Sequence, residues 1–145
     1  MKTTDRLRKH HEEILVIFDD LLEDITARKR PNLESLGKDM SFIEGKLKIH
    51  LSMEDKYLYP ELMNHGDAKI RELTERYKRE MVTAYDSFHA ISVRCREESY
   101  FREQYDEFVA EIRGFIGTLK VRIAMEDEDL FPLVDHFEEK SAENP

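Results

Sequence analysis

A lone cysteine, Cys95, leaves this chain no internal disulfide. Tryptophan is absent, and five glycines and four prolines are too few for a turn-rich β fold or a low-complexity chain. No apolar run approaches the length of a membrane span. The opening residues carry no apolar segment with a cleavage site, so a cytoplasmic location is expected. Positive charge is also in deficit. Against 32 Asp and Glu stand 23 Lys and Arg, a formal charge of -9, with no basic patch to offset it. Neither nucleic acid nor an anionic membrane is therefore expected as a partner. No nucleophile stands paired with a base, so a turnover enzyme is not the expectation either.

What the chain does have is charge and periodicity. Charged residues make up 38% and hydrophobic residues 40% of the 145, a balance that favours helices. That length suits one domain, residues 1–145, with a core that needs no metal or disulfide to hold it. Leu7, His11, Ile14, Phe18, Leu21 or Leu22, and Ile25 recur at helical steps and predict a first helix over about 4–28, with Thr3, Thr4 or Asp5 as its cap. Leu36, Met40, Ile43, Leu47, His50, Glu54 and Leu58 share one face of a second, over about 33–63, capped by Asn32 and ended or kinked at Pro60. A third, over about 68–99, turns Leu73, Tyr77, Met81, Ala84 and Phe88 inward. The fourth, over about 102–137, faces Phe108, Ile112, Phe115, Leu119, Arg122, Glu126, Leu130 and Leu133 inward, and the tail after Phe137 is polar and expected to fray. Four long amphipathic helices with short connections give the expected fold class: all-α, an antiparallel up-down-up-down four-helix bundle.

Two stretches repeat one another. Residues 47–62 read LKIHLSMEDKYLYPEL and residues 119–134 read LKVRIAMEDEDLFPLV. In the first, His50 stands one helical turn before Glu54, so a nitrogen and a carboxylate share one face and can hold a metal ion together. In the second, the residue one turn before Glu126 is Arg122, a permanent cation that cannot ligate a metal.

His11, His50, Glu54, Arg122 and Glu126 are thus polar groups at positions the periodicity turns inward. An unpaired carboxylate there costs several kcal/mol, so something must answer the charge. One answer is an ion: imidazoles and carboxylates from facing helices suit iron or manganese. The other is internal, a metal-free interaction or regulatory domain in which Arg122 and a protonated histidine balance Glu54 and Glu126 in a buried network.

The stretches LRKHHEEI, IHLSMEDKYLYP and RIAMEDEDLFP resemble the hemerythrin-like (HHE cation-binding) family, and the resemblance covers nearly the whole chain. It implies a four-helix bundle that holds a non-haem di-iron centre and binds or senses dioxygen, nitric oxide, iron or redox state. Carried over residue by residue, the implied ligands are His11, His50, Glu54 and Glu126, with Asp127 competing for the role of Glu126. Two family ligands are missing: the third-helix histidine falls on Met81 and the fourth-helix histidine on Arg122. Because those two belong to the same iron, the implied centre is mononuclear or otherwise altered, with Arg122 supporting the carboxylates. A small diatomic, O2 or NO, is the implied ligand. No protein partner is indicated.

Plainer readings apply to the rest. Met81 and Tyr85 are expected in the core, with Tyr85 as a hydrogen-bond donor to a ligand the lesser reading. His10, His65, His89 and His136 are expected at edges or on the surface, and haem ligation through His89 or Met81 is not expected. Cys95 has no cationic setting to activate it.

Overall fold

The computed structural model describes residues 3–143. Among them there is no strand. The helices are α1 (Thr3–Thr26), α2 (Leu33–Tyr57), α3 (Tyr59–Met63), α4 (Ala68–Cys95), α5 (Glu98–Glu103), α6 (Tyr105–Met125) and α7 (Phe131–Glu143), with one turn of π-helix, Glu126–Leu130, joining α6 to α7. α1 packs on α2, α2 on α4, α4 on α6 and α6 back on α1. No helix among the described residues is long and apolar enough to cross a membrane.

The caps follow local chemistry. Asn32 Oδ1 accepts the Ser35 amide at 2.8 Å at the start of α2, and Asp67 Oδ1 accepts the Lys69 amide at 2.9 Å at the start of α4. At the first helix, Thr4 does not cap. It is buried inside α1 and its hydroxyl donates to Asp135 on α7, while Arg8 reaches the same carboxylate at 3.1 Å. The Thr3 side chain lies outside the described residues.

The two prolines of the repeat meet one problem with two solutions. A proline has no amide hydrogen to give and its ring crowds the carbonyl four residues back. Before Pro60 the helix stops: Leu58 turns to φ -111°, and α3 begins with the proline in its first turn. Before Pro132 the helix widens instead, and the Phe131 amide donates to the Glu126 carbonyl, five residues back. The extra residue rotates the side chains after it, so Val134 is fully buried where the periodicity predicted Leu133, which is half-buried.

Three further boundaries differ from expectation. α4 ends at Cys95, not near 99, and α5 intervenes before α6 starts at Tyr105, whose hydroxyl is tied to the Ile25 carbonyl at 2.8 Å. Helix continues to Glu143 in place of the frayed tail, and Asn144 and Pro145 lie outside the described residues.

The apolar residues form two clusters. The larger gathers around Phe18, Phe88 and Phe115, whose rings sit 5.3 to 5.4 Å apart. The smaller holds Leu7, Leu58, Tyr59, Leu62, Tyr77, Leu130, Phe131 and Val134. Phe18 is completely buried whereas Val16, two residues earlier, is 59% exposed. Phe18→Ala is accordingly expected to lower the unfolding free energy by about 3–5 kcal/mol, and Val16→Ala to change it by less than about 0.5, as measured by urea denaturation.

Candidate metal centre

Between the two clusters lies a polar layer. His11 falls between Leu7 and Ile14 on α1, His50 and Glu54 between Leu47 and Leu58 at the end of α2, and Glu126 between Ile123 and Leu130 where α6 becomes the π-turn. All four residues are at most 1% exposed. One nitrogen or oxygen from each lies within 4.8 Å of every other.

The pairwise distances are tighter. Nε2 of His11 and Nε2 of His50 are 2.9 Å apart, and Nε2 of His50 is 2.5 Å from Oε1 of Glu54. Glu126 Oε1 stands 4.0 Å from Nε2 of His11. Despite this crowding, hydrogen bonding does not satisfy the group. Oε1 of Glu54, both oxygens of Glu126 and Nδ1 of His50 have no partner of acceptable geometry. Buried polar atoms are normally paired, and a cluster of unanswered acceptors is what a cation would resolve.

Surrounding groups hold these side chains in place. Asp127 Oδ1 is 2.8 Å from Nδ1 of His11, so Nδ1–H donates to the carboxylate and the neutral ring keeps its lone pair on Nε2, facing the cluster. His11 also stacks on Phe131 at 5.3 Å between ring centres. The Tyr59 hydroxyl donates to Oε2 of Glu54 at 3.0 Å, which leaves Oε1 turned toward the histidines. Burial and the charges of Glu54 and Glu126 push the Tyr59 phenol far up, so it stays a protonated donor.

Electrostatics separate the two acids. Burial pushes the Glu126 carboxyl well above its ordinary range, and the neighbouring charge of Glu54 pushes it further. Burial is the largest single effect on Glu54 as well, but His50, hydrogen bonding with Glu126 and the charge of His11 together outweigh it and hold its carboxyl below the usual range. Without a cation, then, Glu126 is the readier of the two to hold a proton and Glu54 the readier to hold the charge, the usual tendency of two carboxyls forced together away from water.

The other residues singled out in the sequence fall elsewhere. Arg122 does not reach the acids, contrary to expectation. Its guanidinium donates to Glu80 on α4 at 2.6 Å and its side chain is 30% exposed. The reason is desolvation: a guanidinium is stabler at a half-open edge with its own carboxylate than in a dry layer. Met81 is buried in the larger apolar cluster, and Tyr85 packs against that cluster half-buried. His89 is exposed and pairs with Glu44. His10 lies at the edge of the layer, stacked 6.2 Å from His50, and burial pulls its pKa down. Burial raises the Cys95 thiol to about 11, so it is unreactive.

Sequence reasoning missed Tyr59 as a positioning group and the π-turn as a device. The signal for Tyr59 was present: the repeat keeps an aromatic ring at 59 and 131, but only the copy that contains Glu54 carries a hydroxyl there. Nothing in composition marked the π-turn. Glu126 keeps the inward place that the periodicity gives it, and the turn that begins there brings Asp127 to His11 and Asp129 to the Tyr77 hydroxyl at 2.6 Å.

The protonation pattern has a measurable consequence. Glu126→Gln replaces a carboxyl whose neutral form burial and Glu54 favour with an amide of the same shape, so the metal-free variant should melt within a few degrees of the parent. Glu54→Gln removes the charge opposite His50 and should melt lower. Thermal unfolding in the presence of chelator reads both, and a larger loss for Glu126→Gln than for Glu54→Gln would overturn the assignment.

The donor set fits an ion. Two nitrogens bound about 2.1 Å from one first-row ion at a right angle stand about 3.0 Å apart, close to the separation of the two Nε2 atoms. Two imidazoles with one or two carboxylates are a set suited to ferrous iron or manganese. The profile of the hemerythrin HHE cation-binding domain matches residues 2–134. Comparison with curated proteins and with solved structures returns no match. Matched over nearly its whole length, the chain belongs to the hemerythrin family of HHE cation-binding domains.

Proposed function

We propose that the chain is a non-haem iron module that holds one ion through His11, His50, Glu54 and Glu126 and uses it to bind or sense a small diatomic, O2 or NO, or the redox state of its surroundings. The observation that carries this reading is the convergence of four buried side chains whose facing atoms lack hydrogen-bond partners. A bound ion would supply positive charge to the two acids and an open position for a neutral ligand. The chain's own residues do the remaining work. Asp127 keeps the His11 lone pair on the inward nitrogen, Tyr59 fixes the inward oxygen of Glu54, and the two apolar clusters exclude water.

One ion is favoured over two because the positions that would serve a second carry no ligand. Met81 is packed in apolar surroundings and Arg122 is committed to Glu80. The same geometry weakens the metal-free reading, since the internal network required Arg122 as its cation. We read the helices as an antiparallel up-down-up-down four-helix bundle. Support comes from the cyclic packing of α1, α2, α4 and α6. A cytoplasmic location accords with a buried, unpaired Cys95.

Reconstitution with ferrous iron under anaerobic conditions, followed by metal analysis, is the direct test. About one equivalent of tightly held iron per chain is expected for a mononuclear site. Two equivalents, or none, would sink the reading. His50→Ala should abolish uptake, and Asp127→Ala should weaken it by about 10- to 100-fold, as expected for a residue that orients a ligand.

A further inference from the structure

Between α4 and α6 runs an open surface groove of about 520 Å³. Its floor is apolar and includes Ala84, Ile91 and Phe115, while its lips are small, with Ser87 on α4 and Gly114 on α6. A Cβ placed on Gly114 meets nothing within 4 Å, so no neighbouring side chain covers that lip. An ion pair stands at either end. Arg122 donates to Glu80 at 2.6 Å, one helical turn from Glu126, and Arg94 donates to Glu111 at 2.7 Å at the far end. The four side chains are 27 to 49% exposed, so their charges stay open to whatever lies against the groove.

These four charges alternate. α4 carries its acid at the end near the polar layer and its arginine at the far end, and α6 carries them in the reverse order. At the rise of a helix, Glu80 and Arg94 stand about 21 Å apart along α4, and Glu111 and Arg122 about 17 Å apart along α6. The result is a rectangle with opposite signs at adjacent corners. Such a pattern is complementary to itself: laid face to face with a copy about a two-fold axis, whether along or across the helices, each acid meets an arginine. An unrelated partner would need the same alternation by coincidence, whereas a second copy has it by identity. The charges lining the groove also cancel, on a chain whose formal charge is -9, so the general repulsion between two copies is relieved at this face.

We propose that the α4–α6 groove is the contact face of a homodimer, in which two copies pack about a two-fold axis and the charges at the groove ends pair across it. The small lips let the helices of the two copies approach closely, ridge into groove, so that each covers the apolar floor of the other. None of His11, His50, Glu54 and Glu126 lines the groove, so the dimer is independent of metal uptake. Val16 is exposed on α1 and does not line it either, which makes that residue a control.

Sedimentation velocity reads the assembly, in salt of about 0.15 M, where the long-range repulsion of two acidic chains is screened within about 8 Å. At a chain concentration of about 100 μM, in the range of weak assemblies, the parent should sediment as a particle of twice the chain's mass. Arg94→Glu with Arg122→Glu makes all four corners negative, and Glu80→Lys with Glu111→Lys makes all four positive. Each double variant alone should raise the dimer dissociation constant by about 100-fold or more, because like charges then face one another. Mixed in equal amounts, the two should form a one-to-one heterodimer, which no role of these pairs within a single chain would produce. Gly114→Glu, whose side chain enters open space, should keep its helical circular dichroism and sediment as a monomer, while Val16→Glu should remain dimeric. A monomeric parent overturns the proposal, as does a dimer that survives Gly114→Glu or is lost in Val16→Glu. Folded double variants that stay apart when mixed overturn it as well. If the double variants do not fold, the comparison of Gly114→Glu with Val16→Glu decides.

Discussion

Two carboxylates enclosed between apolar clusters set the terms for this end of the molecule. Moving a charge out of water costs several kcal/mol even after the protein relaxes, against a total stability of about 5–15 kcal/mol for a domain. Glu54 and Glu126 together would absorb most of that margin. The surrounding structure reads as a response: Tyr59 donates to one acid, His50 lies against it, and the other acid is the readier to take up a proton. Even so, several acceptors remain unanswered, which marks the layer as built for something the protein atoms alone do not supply.

The repeat shows how one motif came to do two jobs. In the first copy, regular helix carries His50 and Glu54 on one face, and the stop at Leu58 brings Tyr59 back onto Glu54. In the second copy Glu126 keeps the inward position, and the wider π-turn that begins there brings its neighbour Asp127 round to His11 as well. A regular helix would place neighbouring residues about 100° apart and fix the later ones to a single stripe. Widening one turn relaxes that constraint, at the cost of poorer backbone hydrogen bonding, and such turns tend to persist where function requires them.

Much of this was legible in the sequence. The periodicity placed Leu7, His11, Ile14, Phe18, Leu21 and Ile25 on the buried face of α1, and Leu36 through Glu54 on that of α2, because a stripe of this kind survives small changes of helix geometry. It failed where long side chains or backbone hydrogen bonds decide. Arg122 lies on the inner half of its helix by position, but its stem is long enough to carry the charge to Glu80, and periodicity says nothing of where a flexible side chain ends. The breaks around Arg96 and Gln104 contain neither proline nor glycine, so local composition gave no warning of them. Leu133 was displaced by Val134 for the same reason that the π-turn was invisible: an inserted residue shifts the register without altering the pattern.

The polar layer is also one-sided, and this bears on what can approach it. α1, α2 and the π-turn each contribute nitrogen or oxygen, whereas α4 offers Met81 at the matching level. A thioether is a soft, weak donor, and Met81 sits among apolar side chains, so its role there is packing. An approach from α1 or α2 would displace His11, His50 or Glu54 from their partners. On the α4 side the layer abuts apolar side chains such as Met81, whose contacts are dispersion forces worth about 0.1–0.2 kcal/mol per atom pair. The layer therefore meets the larger apolar cluster on that side with no nitrogen or oxygen ligand from α4.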